Sequence, residues 1–217
     1  MAKKCALVVA MVAAMFGYLG VGASAASSPA ILGGGSGIVV GDEALCTLTA
    51  IGHDNGGRLV GITAGHCGEP GYSIVSEHRQ DAGVVGQIVG KSRDLDYAVI
   101  QFDPAKVTPV NQIGRVTITQ VGAPAAFPDV VCKQGLRTGN TCGVVWGDLL
   151  QSNETWTQMC VIEGDSGSPV VRGTTLVGMV NAYVGVACIG PELGTNIDII
   201  MADLNAHGGV GAGFRPI

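Results

Sequence analysis

Short β-branched or apolar runs separated by turn residues fill most of this sequence, and hardly any stretch carries the periodicity of a long helix. Runs at 45–51, 58–64, 72–76, 84–89 and 97–102 are followed by a second set at 115–120, 129–133, 141–146, 155–162, 169–171, 175–184 and 194–199. Between the first two, Asn55-Gly56 supplies the positive φ values that a tight hairpin needs. About a dozen short strands must dispose of their edges, and closure into barrels does so. The expectation is an all-β chain, and only Ile200 to Ala206 reads as a helix.

The chain begins Met1-Ala2-Lys3-Lys4, runs apolar from Cys5 to Val21, and reaches Ala23-Ser24-Ala25. These are the three regions of a secretory signal peptide, so residues 1–26 are expected to be removed and the protein secreted. A retained membrane anchor is the other reading, and Gly17 and Gly20 weaken it. Removal takes Cys5 as well, leaving six cysteines of seven, an even number suited to an oxidising compartment. Residues 27–41, rich in Gly and Ser, read as a short lead-in or propeptide. Two halves then follow at 42–115 and 116–217. The net charge of −5 comes without a Lys/Arg run, so neither nucleic acid nor an anionic membrane is an expected partner.

Two motifs carry chemistry. Cys160-Val161-Ile162-Glu163-Gly164-Asp165-Ser166-Gly167-Ser168-Pro169 holds a small nucleophile between glycines. Gly164 and Gly167 allow backbone conformations that project Ser166 from a sharp turn and aim neighbouring N–H groups at one spot, where an oxyanion could bind. A plain polar β-turn is the competing reading. A hundred residues earlier stands Thr63-Ala64-Gly65-His66-Cys67. A serine hydroxyl needs a base to take its proton, and an imidazole titrates close enough to neutrality to accept and return it.

With both motifs in this order, the sequence resembles the chymotrypsin-like serine proteases, over most of the chain after the first thirty or so residues. Cys160, six residues before Ser166, is more similar to the short secreted bacterial branch. The resemblance implies two six-stranded antiparallel β-barrels with a short C-terminal helix. It implies a secreted, monomeric endopeptidase that acts on polypeptides through an acyl-enzyme, without metal or organic cofactor. It assigns the nucleophile to Ser166, the base to His66 and the oxyanion donors to the N–H groups of Gly164 and Ser166. It pairs Cys46 with Cys67, Cys132 with Cys142 and Cys160 with Cys188. A zinc site is the other use of cysteines, but no Cys-x-x-Cys pair supports it.

The orienting carboxylate is to be chosen among Asp81, Asp94, Asp96 and Asp103. Asp96 opens Asp-Tyr-Ala-Val-Ile, which is similar to the family's Asp before an apolar strand, and it is the choice here. Asp165 is by resemblance an ion-pair acceptor that shapes the oxyanion turn. Its partner is either a new N-terminal amine, with Ile31 and Ile38 as alternative starts, or Lys133 after Cys132. The alternative for Lys133 is a solvated surface lysine. Ser168 departs from the family's second Gly. Cys160, Ala182, Tyr183 and Val184 are expected to line the substrate pocket, and Val184 to narrow it toward small or medium apolar side chains. Cys160 near its base, where an aspartate would attract Lys or Arg, argues against cleavage after basic residues. A catalytically inactive binding protein on the same fold is the alternative function.

Overall fold

The computed structural model describes residues 28–217, so the signal-peptide reading of residues 1–26 lies outside the described residues. The first half forms strands β1 (Gly37–Val40), β2 (Ala44–Thr47), β3 (Ala50–His53), β4 (Leu59–Ala64), β5 (Ser73–Ser76), β6 (Val84–Ser92) and β7 (Tyr97–Phe102). They build one antiparallel curled sheet in the order β3-β4-β7-β6-β5-β1-β2, and Arg215–Pro216 from the C-terminus pairs on the outer side of β3. The second half forms β8 (Val130–Gly135), β9 (Gly139–Gly147), β10 (Glu154–Thr157), β11 (Pro169–Arg172), β12 (Thr175–Tyr183) and β13 (Glu192–Asn196). These six close on themselves as β12-β11-β8-β9-β10-β13, with β13 pairing back onto β12. Helix α1 (Ile197–His207) follows, and its buried Ile197, Ile200 and Leu204 join the core that Met179 and Leu176 of β12 share with the first sheet. The architecture is the all-β, two-barrel one expected, with the first barrel curled rather than fully closed.

Differences from the sequence-based expectation have local causes. The run 45–51 divides into β2 and β3, because Leu48 and Thr49 turn the chain and bond Ser36 and Ile62. β1 lies inside the stretch 27–41 that reads as a lead-in, yet it pairs with β2 on one side and β5 on the other. Its short Gly-flanked Ile-Val-Val run gives little pattern to distinguish strand from linker. The run 115–120 is broken into two-residue pairings where the chain crosses between the halves; Val116 and Ile118 are buried there without belonging to a long ladder. The run 155–162 ends as a strand at Thr157: the Gln158 N–H still donates to the Val144 carbonyl of β9, but the ladder is not continued beyond it, although Met159 and Val161 remain packed in the barrel.

The interior of the second barrel is filled by Val131, Val145, Met159, Val161, Val170, Val177 and Val180. Into it points Glu192, which is 1 % exposed. One of its carboxyl oxygens accepts from the Thr157 hydroxyl and the other has no hydrogen-bond partner. Burial raises its pKa to about 8, against smaller opposing effects of Thr157 and Lys133. Between its ordinary value of 4.5 and about 8, the unfolded chain releases this proton while the folded chain keeps it, so stability falls as pH rises through that window and levels off above it. Glu192→Gln removes this dependence. Its melting temperature is expected to exceed that of wild type by several degrees at pH 8 and by much less at pH 5; an equal difference at both would contradict a protonated Glu192.

Candidate active site

β4 ends at Ala64, and Gly65–Cys67 form a single 3₁₀ turn that presents His66. The turn packs tightly against the start of β7: a Cβ on Gly65 would come within 2.9 Å of the Asp96 carbonyl carbon. The Gly65 N–H donates to the Asp96 carbonyl at 2.8 Å. Asp96 has φ of +45°, unusual for a residue with a side chain, and is held there by bonds to both its backbone and its carboxylate. The His66 backbone N–H donates to Asp96 Oδ1 at 2.7 Å, and His66 Nδ1 lies 2.7 Å from Asp96 Oδ2. A carboxylate can only accept, so Nδ1 carries the proton and Nε2 faces outward as the acceptor.

A residue from the second barrel completes this arrangement. Asn181 of β12 donates its amide to the Asp96 carbonyl and to Asp96 Oδ2, each at 2.8 Å. Its own oxygen accepts from the Thr195 N–H at 2.8 Å, while the Thr195 hydroxyl reaches the Leu95 carbonyl at 2.9 Å. Burial alone would push the Asp96 carboxyl up, but the hydrogen bonds from His66 and Asn181 outweigh it and hold it below the ordinary range. Sequence reasoning stopped one residue short of Asn181, at Ala182. Nothing in an Asn at the end of a strand marks it before the opposite barrel is in place.

The Ser166 turn is built from two glycines in the left-handed region, Gly164 at φ +93° and Gly167 at +86°. A Cβ on Gly167 would collide with the Thr47 carbonyl, so this position also requires close backbone approach. Thr47 N–H donates to the Ser166 carbonyl at 2.8 Å, Thr47 Oγ1 to the Gly164 carbonyl at 2.9 Å and Thr49 Oγ1 to the Gly167 carbonyl at 2.7 Å. Within the turn, the N–H groups of Asp165, Gly167 and Ser168 bond to Ile162, Val180 and Asp165. Among the described hydrogen bonds, the N–H groups of Gly164 and Ser166 donate to nothing in the protein. Nor does one join Ser166 Oγ to His66. Ser168 sits fully buried and donates its hydroxyl to the Asp165 carbonyl at 2.6 Å, which stabilises the conformation after Ser166. It fits because Gly135 faces it: a Cβ there would lie 2.7 Å from Ser168 Oγ.

The Asp165 carboxylate is fully buried. Its Oδ1 accepts from the N–H groups of Arg137 at 2.8 Å and Thr138 at 3.1 Å. Its Oδ2 accepts from Thr138 Oγ1 at 2.6 Å and the Ile162 N–H at 3.2 Å, with Lys133 Nζ at 3.6 Å. Lys133 is itself fully buried, which excludes the solvated lysine, and its ammonium also donates to Thr138 Oγ1 and the Gly139 carbonyl. Burial pushes the Lys133 ammonium down and the nearby Asp165 opposes that shift. Thr138, which the sequence did not single out, bridges the ion pair: its hydroxyl accepts from lysine and donates to aspartate.

The three expected disulfides, Cys46–Cys67, Cys132–Cys142 and Cys160–Cys188, are all formed. Of the residues assigned to the pocket, Ala182 and Tyr183 end β12, Ala182 exposed and Tyr183 partly so, and Val184 follows, 40 % exposed. Among the described residues, no three His, Cys, Asp or Glu side chains gather as a metal would require, and no helix is long and apolar enough to cross a membrane.

No family model matches the sequence, and no curated protein does. Solved structures do. Protease A of Thermobifida fusca superposes with a TM-score of 0.71 at 22% identity, over 87% of this chain and 99% of that one. A Nocardiopsis protease gives 0.69 at 23%, over 81% and 97%. A Cellulomonas bogoriensis chymotrypsin gives 0.66 at 25%, over 86% and 98%. The fold is that of the bacterial chymotrypsin-like serine proteases.

Asn181→Ala removes the amide that spans the two barrels and leaves the Thr195 N–H without its acceptor. The expected result is a loss of about 1–3 kcal/mol in unfolding free energy. The Asp96 carboxyl should also titrate at higher pH, read from its side-chain carbon resonance. Because a depressed carboxyl stabilises the fold above its unfolded pKa and loses that contribution on acidification, the variant's deficit should shrink at low pH. An unchanged Asp96 titration would show that Asn181 does not act on the carboxylate.

Proposed function

We propose that the chain is a secreted serine endopeptidase, and the observation that carries this reading is the pair of undonated N–H groups, Gly164 and Ser166, beside the nucleophile on a turn fixed from both barrels. The neighbours in fold are serine proteases, which supports peptide-bond hydrolysis in general. In the proposed reaction, Ser166 Oγ attacks the carbonyl carbon of the scissile bond as its proton passes to His66 Nε2. The tetrahedral oxyanion is received by the two N–H groups, each worth about 3 kcal/mol when aimed in advance. Asp96, bonded to Nδ1–H, holds the ring in the required tautomer and stabilises the imidazolium without taking its proton. His66 then protonates the departing amine, leaving an ester on Ser166. Water, deprotonated by the same imidazole, cleaves that ester and restores the hydroxyl.

Lys133 and Asp165 are the proposed ion pair behind the oxyanion turn. An internal cation of this kind makes activity independent of a freshly cut N-terminal amine, whichever of Ile31 or Ile38 begins the mature chain. Substrate is proposed to lie along Ala182-Tyr183-Val184, with a small or medium apolar residue before the scissile bond; the reading is supported by Val184 as an apolar wall residue and by Cys160 where cleavage after basic residues would need an aspartate. Removal of residues 1–26 and action as a monomer complete the reading. The inactive binding protein remains the second reading, distinguished by the experiment below.

A fluorophosphonate probe is expected to label the signal-cleaved protein at Ser166, with labelling abolished in Ser166→Ala and slowed about a thousandfold or more in Asp96→Asn. Folded wild-type protein that resists the probe would favour the binding protein. Lys133→Met should slow labelling and lower stability together, because it leaves a buried aspartate without its cation; full labelling in a stable Lys133→Met variant would remove the pair from the mechanism.

A further inference from the structure

Arg137 stands at the tip of the β8–β9 hairpin, and its backbone N–H is fixed on Asp165. Its side chain lies across the face of Gly164: a Cβ on that glycine would come within 2.8 Å of Arg137 Cγ and 3.1 Å of Arg137 Nε. The aliphatic stem thus packs on the glycine that offers a free N–H, while the residue as a whole is exposed. Arg58, Arg79, Arg93 and Arg172 each meet a carboxylate, at Asp54, Asp81, Glu69 and Asp129, whereas among the described residues Arg115, Arg215 and Arg137 do not, and of these three Arg137 alone packs on the Ser166 turn. Among the described residues, no carboxylate lies within 4 Å of the Arg137 guanidinium. Five N–H donors and a permanent charge therefore face solvent beside the proposed oxyanion site.

The position of the hairpin tells which half of a substrate meets that charge. β12 delivers Asn181 to Asp96 and continues into Ala182-Tyr183-Val184, the strand proposed to hold the acyl half. The β8–β9 hairpin approaches from the other flank. Leu136 N–H donates to Thr47 Oγ1, and the Leu136 side chain packs against Gly37, so this flank belongs to the Cys46–Cys67 side of the first sheet. A peptide running away from Ala182-Tyr183-Val184 past Ser166 leads its leaving half toward Arg137.

We propose that Arg137 is a specificity-determining residue that receives a carboxylate of the substrate, an Asp or Glu side chain or a terminal carboxylate, within the first three residues after the scissile bond. The inference rests on the endopeptidase reading. The protein's net charge of −5 disfavours acidic peptides overall. With screening over roughly 10 Å in ordinary buffer, the charges that count are local ones, Arg137 on Gly164 and the exposed Glu163 just before it, and of these only the arginine attracts a carboxylate. The geometry of a guanidinium suits two-pronged recognition of a carboxylate.

The test uses internally quenched peptides identical up to the scissile bond, with Asp, Ala or Lys at each of the three following positions. Wild type is expected to cleave the Asp peptide about three- to tenfold faster than the Lys peptide in kcat/KM at one of these positions. The difference should sit in KM and diminish as salt is raised. Arg137→Glu should reverse the order, and Arg137→Lys should keep it in weaker form. Wild type without preference at all three positions, or a preference that survives Arg137→Glu, overturns the proposal. Fluorophosphonate labelling of wild type in parallel separates the two levels: a labelled enzyme without preference loses only this inference, whereas an unlabelled protein loses the endopeptidase reading and the inference with it.

Discussion

A carboxylate removed from water costs several kcal/mol unless its lone pairs are filled, and Asp165 fills them from three separate elements. The hairpin tip gives two N–H groups and a hydroxyl, the segment before Ser166 gives a third N–H, and β8 gives an ammonium. Each donor fixes a piece of backbone that borders Ser166. The aspartate is therefore a template: satisfying it forces the 160–168 segment and the 135–139 tip into one mutual arrangement. Its backbone carbonyl continues the same role by receiving Ser168 Oγ. Small residues cluster around it for the same reason, since Gly135 has no room for a Cβ against either partner.

What could be read in advance was whatever a short stretch of sequence encodes by itself. Gly164 and Gly167 announce a strained turn, because it depends on backbone preferences of the residues concerned; the hairpin between β3 and β4 was legible too, but its positive φ falls on Gly57 and not on Asn55-Gly56. The two-barrel architecture and the cysteine pairing were legible through the family resemblance instead. Strand limits were less readable: Leu48-Thr49 and Gln158 onward carry strand-like residues, and only the neighbours to which their backbones bond end the ladders there. Asp96 was ranked above Asp94 through the family's Asp before an apolar strand, whereas its contact with Asn181 exists only where the two barrels meet. Thr138 and Arg137 were invisible for a related reason, since a hairpin tip rich in polar residues looks alike whether it faces solvent or a buried aspartate.

The two buried acids illustrate opposite solutions to one problem. Asp165 remains paired with a cation and backbone donors, while Glu192, with one hydroxyl donor among valines, keeps its proton instead. They belong to the same barrel, with Lys133 acting on both but within ion-pair distance of Asp165 alone. A group ringed with donors shapes its surroundings, and a group without them is shaped by its surroundings.

The division of labour between the two halves has a consequence for when reactivity can arise. His66 and Asp96 belong to the first sheet and Ser166 to the second barrel, yet Asp96 is steadied by Asn181 from across the boundary, and the Ser166 turn is steadied by Thr47 and Thr49 in return. Either half alone holds an incomplete constellation with its orienting bonds missing. A nascent chain with only its first sheet formed thus carries His66 and Asp96 without the Asn181 amide or the Ser166 turn. Under the proposed endopeptidase function, docking of the halves is a safety catch, delaying reactivity until the entire molecule has been assembled.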